Sequence, residues 1–201
     1  MSFQDIRKSR KWLSAEEFRL LAFVLLIVGG LLALNITLAR MLPGGEWFFL
    51  RWSGARAFLI EQIEPYSTQI AQRAQEVAYG RIAFSGEYAY VLNDPFHIVL
   101  LYTPLALFQD FALARGIWML ISEAALVGAV LLAFNLSESQ PPLWLYVSLL
   151  IFGLFSYFSL HALVSATPAI MLNFLYLYIL LAIRSYSDEL AGALLLLVAY
   201  Q

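Results

Sequence analysis

The chain has 201 residues, of which 62% are hydrophobic and 13% are charged, and its mean hydropathy is +0.76. Soluble domains average about 25% charged residues, so this chain has too few charges to cover a surface in water. The composition excludes a soluble enzyme and a disordered tail, and the net charge of −2 excludes the basic field of a nucleic-acid binder. The class that remains is an all-α polytopic membrane protein.

The first long apolar run covers residues 20–39 and is long enough for a helix that crosses a bilayer core of roughly 30 Å. Residues 1–19 precede it and carry more Lys and Arg than Asp and Glu, which predicts a cytoplasmic N-terminus. A cleaved signal peptide is the alternative. The run is longer than the roughly 7–15 apolar residues of a signal peptide, and no convincing cleavage site follows, so we expect a retained transmembrane helix.

Five further apolar runs cover residues 96–108, 111–134, 143–163, 168–183 and 190–200. If all of them crossed the membrane, Arg184 would lie on the outer face, although basic residues tend to stay inside. If the run at 96–108 instead lies along the outer interface, Arg184 falls inside; this run is also short and contains Pro104. We favour this second topology, with four complete spans and a truncated fifth. Residues 111–201 then hold the remaining transmembrane helices.

Residues 40–110 form one long loop on the outer face and hold about half of the charged residues. Within it, residues 46–59 combine a broad aromatic face with Glu46, Arg51 and Arg56. This pattern predicts a helix that lies in the membrane interface, with its guanidinium groups near lipid phosphates. The rest of the loop predicts a surface helix over residues 68–78 that ends at Gly80, an extended segment over 86–92 and a turn at 93–95.

Two acidic residues are candidate functional groups. Glu46 follows Gly44-Gly45 where the first span emerges, either as an acid that favours the start of a helix or as a general base for an acceptor hydroxyl. Glu123 lies near mid-membrane, where a charged side chain costs at least about 2.5–3.5 kcal/mol on insertion scales. Glu123 therefore faces the protein interior or is protonated. It is either a functional group or a structural carboxyl that is hydrogen-bonded to another span or to a partner subunit.

The chain offers little for metal or cofactor chemistry. It has no cysteine and two histidines, His97 and His161, so no haem or redox-metal ligand set is evident and we expect no cofactor and no metal. His97 follows Asp94-Pro95-Phe96 on the outer face, where it lines a polar groove or belongs to a solvated turn. Phosphate-loop, dinucleotide-binding and nucleophile-elbow motifs are absent from the sequence.

The loop also carries short motifs in a definite order. Glu46 is followed by Trp52-Ser53-Gly54-Ala55-Arg56-Ala57-Phe58-Leu59, Glu64-Pro65-Tyr66, Asp94-Pro95-Phe96, Pro104-Leu105-Ala106-Leu107 and Ala114-Arg115-Gly116-Ile117-Trp118. This order resembles the polyprenol-dependent GT-C glycosyltransferases, in particular the family 87 type (DUF2029), over roughly residues 44–132. The sequence is similar to the N-terminal half of such an enzyme.

The resemblance implies a GT-C-like helical bundle in a bacterial-type inner membrane, with the catalytic base in the first outer loop. Glu46 takes that position and would deprotonate an acceptor hydroxyl, which displaces the lipid phosphate of a polyprenyl-phosphate sugar. Arg51 or Arg56 would meet the phosphate as a charge-assisted partner. The other implied substrate-binding residues are Tyr66, Asp94 and His97. The implied partners are this donor, membrane lipids and a lipid or glycan acceptor.

An alternative follows from three departures from the family pattern. The acid is Glu46 where the family usually has Asp, Tyr-Pro-Pro is replaced by Asn93-Asp94-Pro95, and a Gly-Gln step between two later spans is missing. The chain also has about half the usual length. It would then be a non-catalytic integral membrane subunit of a larger complex, derived from this family. A transporter or channel is a third hypothesis, with little support because paired broken spans are not visible.

Overall fold

The computed structural model describes residues 15–138 and 140–199, and within those ranges it is helical with no β-strand. The α-helices are α1 (Ala15–Met41), α2 (Glu46–Arg56), α3 (Thr68–Tyr79), α4 (Phe96–Ala106), α5 (Phe111–Leu136), α6 (Leu143–Phe155), α7 (Tyr157–Val164), α8 (Ala169–Arg184) and α9 (Asp188–Val198). A π-helical segment, Ala57–Glu61, continues α2. The expected all-α fold is confirmed. Most of the predicted cytoplasmic tail, and the end of the last apolar run at Tyr200, lie outside the described residues.

Two helices are long and apolar enough to cross a membrane, α1 with 27 residues and α5 with 26. They correspond to the predicted spans at 20–39 and 111–134, and they support the membrane-protein class. The two helices pack closely where Gly116 of α5 meets Ile36 of α1. A Cβ at Gly116 would lie 2.8 Å from Ile36 Cγ1 and 3.0 Å from the Ile36 backbone nitrogen, so the approach requires glycine.

The apolar run at 143–163 forms two helices where the sequence predicts one span. The axes of α6 and α7 differ by 48°, and the break lies at Ser156. Ser156 has extended backbone, and its hydroxyl accepts a hydrogen bond from the Ser159 N–H at 3.3 Å, which makes it the N-cap of α7. Counted as one broken span, the pair gives a third candidate crossing.

The predicted span at 168–183 becomes α8, whose 16 residues are about 24 Å long and shorter than a bilayer core of roughly 30 Å. Pro168 precedes its first residue, and Arg184 ends it. Arg184 donates to the Leu136 carbonyl oxygen at 2.9 Å and forms an ion pair with Glu138. These contacts join the ends of α8 and α5, so Arg184 lies at the end of the bundle opposite the loop. The favoured topology likewise places Arg184 and the loop on opposite sides of the membrane.

The loop between α1 and α5 folds around α2 as its central element. Phe48 and Trp52 are buried, and the Phe48 ring packs 5.8 Å from the rings of Tyr102 and Trp118. The Trp52 indole N–H donates to the Leu105 carbonyl oxygen at 3.1 Å. The sequence predicts that this aromatic face lies on the membrane surface. The structure differs because α4 and α5 cover the rings, and aromatic side chains stabilise a core strongly through their large buried area.

The remaining loop elements follow the predictions in part. The expected surface helix is α3, which ends at Gly80 in a left-handed conformation (φ +70°). The run at 96–108 forms α4, whose 11 residues are about 16 Å long and too short to cross a bilayer. The segment at 86–92 is not a continuous strand, since Tyr90 has a φ of +45°.

Candidate functional site

Glu46 is the first residue of α2 and lies where the chain turns away from the end of α1. The turn depends on Gly44 and Gly45, whose φ angles of +105° and +87° are left-handed conformations that glycine adopts at little cost. The Glu46 carboxylate is half-buried and lies in the first helical turn, where the exposed N–H groups favour negative charge. The local sequence therefore fixes a carboxylate at the loop-side end of the transmembrane bundle.

Arg115 of α5 lies beside this carboxylate. A Cβ on Gly45, the residue before Glu46, would come within 3.0 Å of the Arg115 Nε, and the charges of Arg115 and Glu46 interact. Arg115 is only 2% exposed. Its guanidinium donates to main-chain carbonyl oxygens of Ala39 and Leu42 (3.1 Å each), Pro43 (3.2 Å) and Val164. The cation therefore holds together the ends of α1 and α7 at the site.

The sequence motifs include Arg115 but do not assign it to the site. A usable signal was present, because Arg115 is a basic residue within the first turns of an apolar span, and such a residue needs polar partners in the protein. The end of α1 and the Gly44-Gly45 turn provide them.

Four aromatic side chains form a cluster beside Glu46. The Trp47 ring centroid lies 4.9 Å from that of Tyr88 and 5.5 Å from that of Tyr90, and Tyr79 lies 5.6 Å from Tyr90. Burial raises the pKa of Tyr90, and the negative charge of Glu46 raises it further. Trp47 and Tyr88 remain partly exposed. The aromatic cluster (Trp47, Tyr79, Tyr88 and Tyr90) therefore gives the carboxylate an aromatic, solvent-accessible edge.

Three of the predicted substrate-binding residues meet at a second position. Arg51 donates from Nε to Asp94 Oδ2 at 2.7 Å and from Nη2 to Asp94 Oδ1 at 3.1 Å, and both side chains are largely buried. The Tyr66 hydroxyl donates to the Asp94 main-chain oxygen at 2.9 Å. Partial burial and the Asp94 charge raise the pKa of Tyr66. A lipid phosphate would have to compete with Asp94 for Arg51.

The other two predicted residues lie elsewhere. Arg56 is ten residues beyond Glu46, about 15 Å along the helix. It donates to the Ala106 carbonyl oxygen at 3.2 Å and lies 3.8 Å from a Glu61 carboxylate oxygen. His97 is in the first turn of α4, and its buried Nε2 has no hydrogen-bond partner among the described residues. Substrate binding by these residues stays a prediction.

Glu123 lies in a separate place within the bundle. It is eight residues beyond Arg115 on α5, about 12 Å along the helix axis. The Asn35 side-chain amide of α1 donates to Glu123 Oε2 at 3.1 Å. The carboxyl is half-buried and faces α1, as the prediction of an interior position requires.

The chemistry of the Glu46 site is that of a carboxylate next to a fixed cation. Across residues 15–138 and 140–199, no group of three or more His, Cys, Asp or Glu side chains could hold a metal ion. No protein-family model, curated protein or solved structure matches the chain. The functional assignment therefore depends on the geometry of the site and on the order of the sequence motifs.

Proposed function

We propose that the chain is a membrane glycosyltransferase of GT-C type, or the N-terminal half of one. It would transfer a sugar from a polyprenyl-phosphate donor to a lipid or glycan acceptor at the outer face of the membrane. The observation that carries the proposal is the position of Glu46 at the loop-side end of α1. Glu46 follows Gly45, which packs against Arg115, and precedes Trp47 of the aromatic cluster.

Glu46 has the properties of a general base. Among the hydrogen bonds and ion pairs of the described residues, none involves its carboxylate, so both oxygens are available to a hydroxyl. General-base catalysis contributes typically 10²–10⁴-fold to a rate, which is the size of effect assigned to Glu46.

In the proposed step, the acceptor hydroxyl gives its proton to Glu46 while its oxygen attacks the anomeric carbon of the donor sugar. The bond between that carbon and the phosphate oxygen breaks, and the polyprenyl phosphate leaves with the electron pair. The buried guanidinium of Arg115 would act on these charges as a fixed cation, because four carbonyl oxygens hold it in place.

The aromatic cluster supports an acceptor site next to the base. Trp47 and Tyr88 are in contact with each other and partly exposed, and Trp47 is the second residue of α2. The apolar C–H face of a sugar ring can pack on such rings while its hydroxyls reach Glu46. A ligand held there would have its hydroxyl near the carboxylate, which is the requirement for general-base catalysis.

The test is sugar transfer in membrane vesicles that contain the full-length protein. A panel of labelled polyprenyl-phosphate sugars is supplied, and transfer to lipid or glycan is measured for the native chain, Glu46→Gln and Glu76→Gln. Glu76 is an exposed acid of the same loop, outside the family motifs, and serves as the matched control. We expect transfer by the native chain and the control and none by Glu46→Gln. Equal transfer by native and Glu46→Gln proteins would overturn the assignment.

A second candidate is a non-catalytic subunit of a membrane complex. It is favoured by the amount of apolar helix surface that lacks protein contacts: α6 buries none of its residues, and α1 buries only Asn35 and Ala39. Helices of a partner protein would cover this apolar surface in place of lipid. Stoichiometric co-purification with another membrane protein, together with no transfer activity, would support the subunit over the enzyme.

A further inference from the structure

A cavity of about 420 Å³ lies within the bundle, between α1, α5 and the α6–α7 break. An apolar cavity of about 150 Å³ is already large enough for a benzene molecule, so this one has room for a segment of an alkyl or isoprenoid chain. Its wall is almost entirely aliphatic and aromatic. The two polar side chains that line it are Asn35 and Glu123.

The polar pair is arranged to bind one further group. Asn35 is 1% exposed and donates its amide to Glu123 Oε2 at 3.1 Å. The described residues provide no other hydrogen bond to the Glu123 carboxyl, so Oε1 can accept one from a ligand in the cavity. A carboxyl group has this acceptor capacity whether it is ionised or protonated.

The cavity is accessible from the lipid phase. Leu34 of α1, Phe155 of α6 and Leu160 of α7 line the cavity and are also exposed on the outside of the bundle. The break between α6 and α7, whose axes differ by 48°, lies at the cavity, since Leu154 and Phe155 line it. A ligand can therefore enter sideways from the bilayer without passing through the loop.

We propose that this cavity binds a membrane lipid with one uncharged hydroxyl, a long-chain alcohol, whose chain fills the cavity and whose hydroxyl donates to Glu123 Oε1. The lining contains no Lys, Arg or His, so a phosphate or carboxylate head would meet the Glu123 carboxyl with no cation to balance it. A pure hydrocarbon would leave Oε1 without a partner in an apolar site. A single hydroxyl satisfies both conditions.

The site is independent of the proposed transfer reaction. Glu123 is about 12 Å from the level of Arg115 along α5. The binding argument uses neither Glu46 nor the donor phosphate. A Glu46→Gln variant should therefore bind the alcohol as the native protein does, whether or not sugar transfer is ever observed.

The test uses the purified full chain in lipid nanodiscs and three photoreactive probes of equal chain length. One is a hexadecanol that carries a diazirine in its chain, the second is the same chain without the hydroxyl, and the third has an amine in place of the hydroxyl. We expect labelling of peptides from α1, α5 and α7, with about five times more label from the alcohol than from the alkane, as one hydrogen bond gives.

Variants locate the site. Glu123→Leu should lower alcohol labelling to the level of the alkane. Ala124→Phe, which fills the cavity, should abolish labelling by both, whereas Ala133→Phe, on an exposed position of the same helix outside the lining, should not. Equal labelling of the native protein by alcohol and alkane would overturn the proposal. Preference for the amine, which would indicate a cation site, or labelling unchanged by Ala124→Phe, would also overturn it.

Discussion

Arg115 is a buried cation whose partners are almost all main-chain carbonyl oxygens. The last carbonyl groups of a helix have no partner within the helix, and the negative end of the helix dipole favours a cation beside them. Arg115 satisfies such groups at the ends of both α1 and α7. One side chain thus neutralises two helix ends and fixes the floor of the Glu46 site.

Replacement of Arg115 by Met should destabilise the bundle. The variant keeps most of the side-chain volume but leaves several buried carbonyl oxygens without donors, and we expect a loss of about 3 kcal/mol in unfolding free energy. Denaturant titration in detergent measures the loss. Arg184→Met is the matched control, because Arg184 is exposed and its loss should cost less than about 1 kcal/mol. Similar losses in both variants would contradict the role of Arg115.

Glu87 is the clearest titration marker in the loop. It accepts from Arg81 Nη1 and Nη2 at 2.7 Å each and from the Phe84 N–H at 2.7 Å. The hydrogen bonds from Arg81 are the largest cause that lowers the pKa of Glu87 from 4.5 to about 2, and the hydrogen bond from the Phe84 N–H is the second. The pKa of Glu87 is lower in the folded protein than in the unfolded chain. These hydrogen bonds therefore stabilise the turn fully above about pH 4.5, and this stabilisation is lost as the pH falls through about 2.

The Glu87 carboxyl should therefore titrate with a midpoint near pH 2 by NMR, and the Phe84 amide shift should follow the same curve. Arg81→Met removes the first cause of the shift and should move the midpoint up toward 4.5. A midpoint that is already near 4.5 in the native protein would contradict the predicted turn.

At the scale of helices, the contact between α1 and α5 depends on one glycine. Gly116→Ala should destabilise the protein by about 1–3 kcal/mol, since its Cβ meets the backbone of Ile36 and neither helix can give way locally. Gly30→Ala in α1 is the control, because nothing lies within 4 Å of its Cβ position, and a helical alanine is favourable. Unfolding in detergent distinguishes them. Equal stability of Gly116→Ala and the native protein would exclude the tight contact.

The sequence predicts where helices lie better than how they pack. The end of α3 at Gly80 was predictable because a left-handed cap favours glycine. The break at Ser156 was not, since one serine barely changes the hydropathy of a run of apolar residues, yet its hydroxyl can cap a new helix. The burial of α2 was missed because an aromatic face has the same pattern whether it covers lipid or protein.

The same limit applies to the candidate site. Glu46 was identifiable because an acid directly after Gly44-Gly45 must lie at the end of the first span. Its neighbour Arg115 is 69 residues further along the chain, and no local pattern brings the two together. Arg51 and Asp94 were both predicted as separate substrate ligands, and only the fold reveals that they bind each other.

At the scale of the whole molecule, the ion pair of Arg184 with Glu138 and the bonds of Arg115 to α1 and α7 define two ends of the bundle. The chain has no cysteine, so single cysteines report topology without background. Ser85→Cys and Ser185→Cys replace exposed serines near opposite ends. A membrane-impermeant maleimide should label them from opposite sides of sealed vesicles, and labelling of both from one side would contradict the arrangement.

In the proposed reaction, Glu46 removes the proton of the acceptor hydroxyl. The test is the rate of sugar transfer by purified Glu46→Gln protein at saturating donor, with the donor affinity of native and variant proteins measured alongside. If Glu46 is the base, the rate falls about 10²–10⁴-fold while the affinity stays within about two-fold. A rate within two-fold of the native value at equal affinity would contradict the claim.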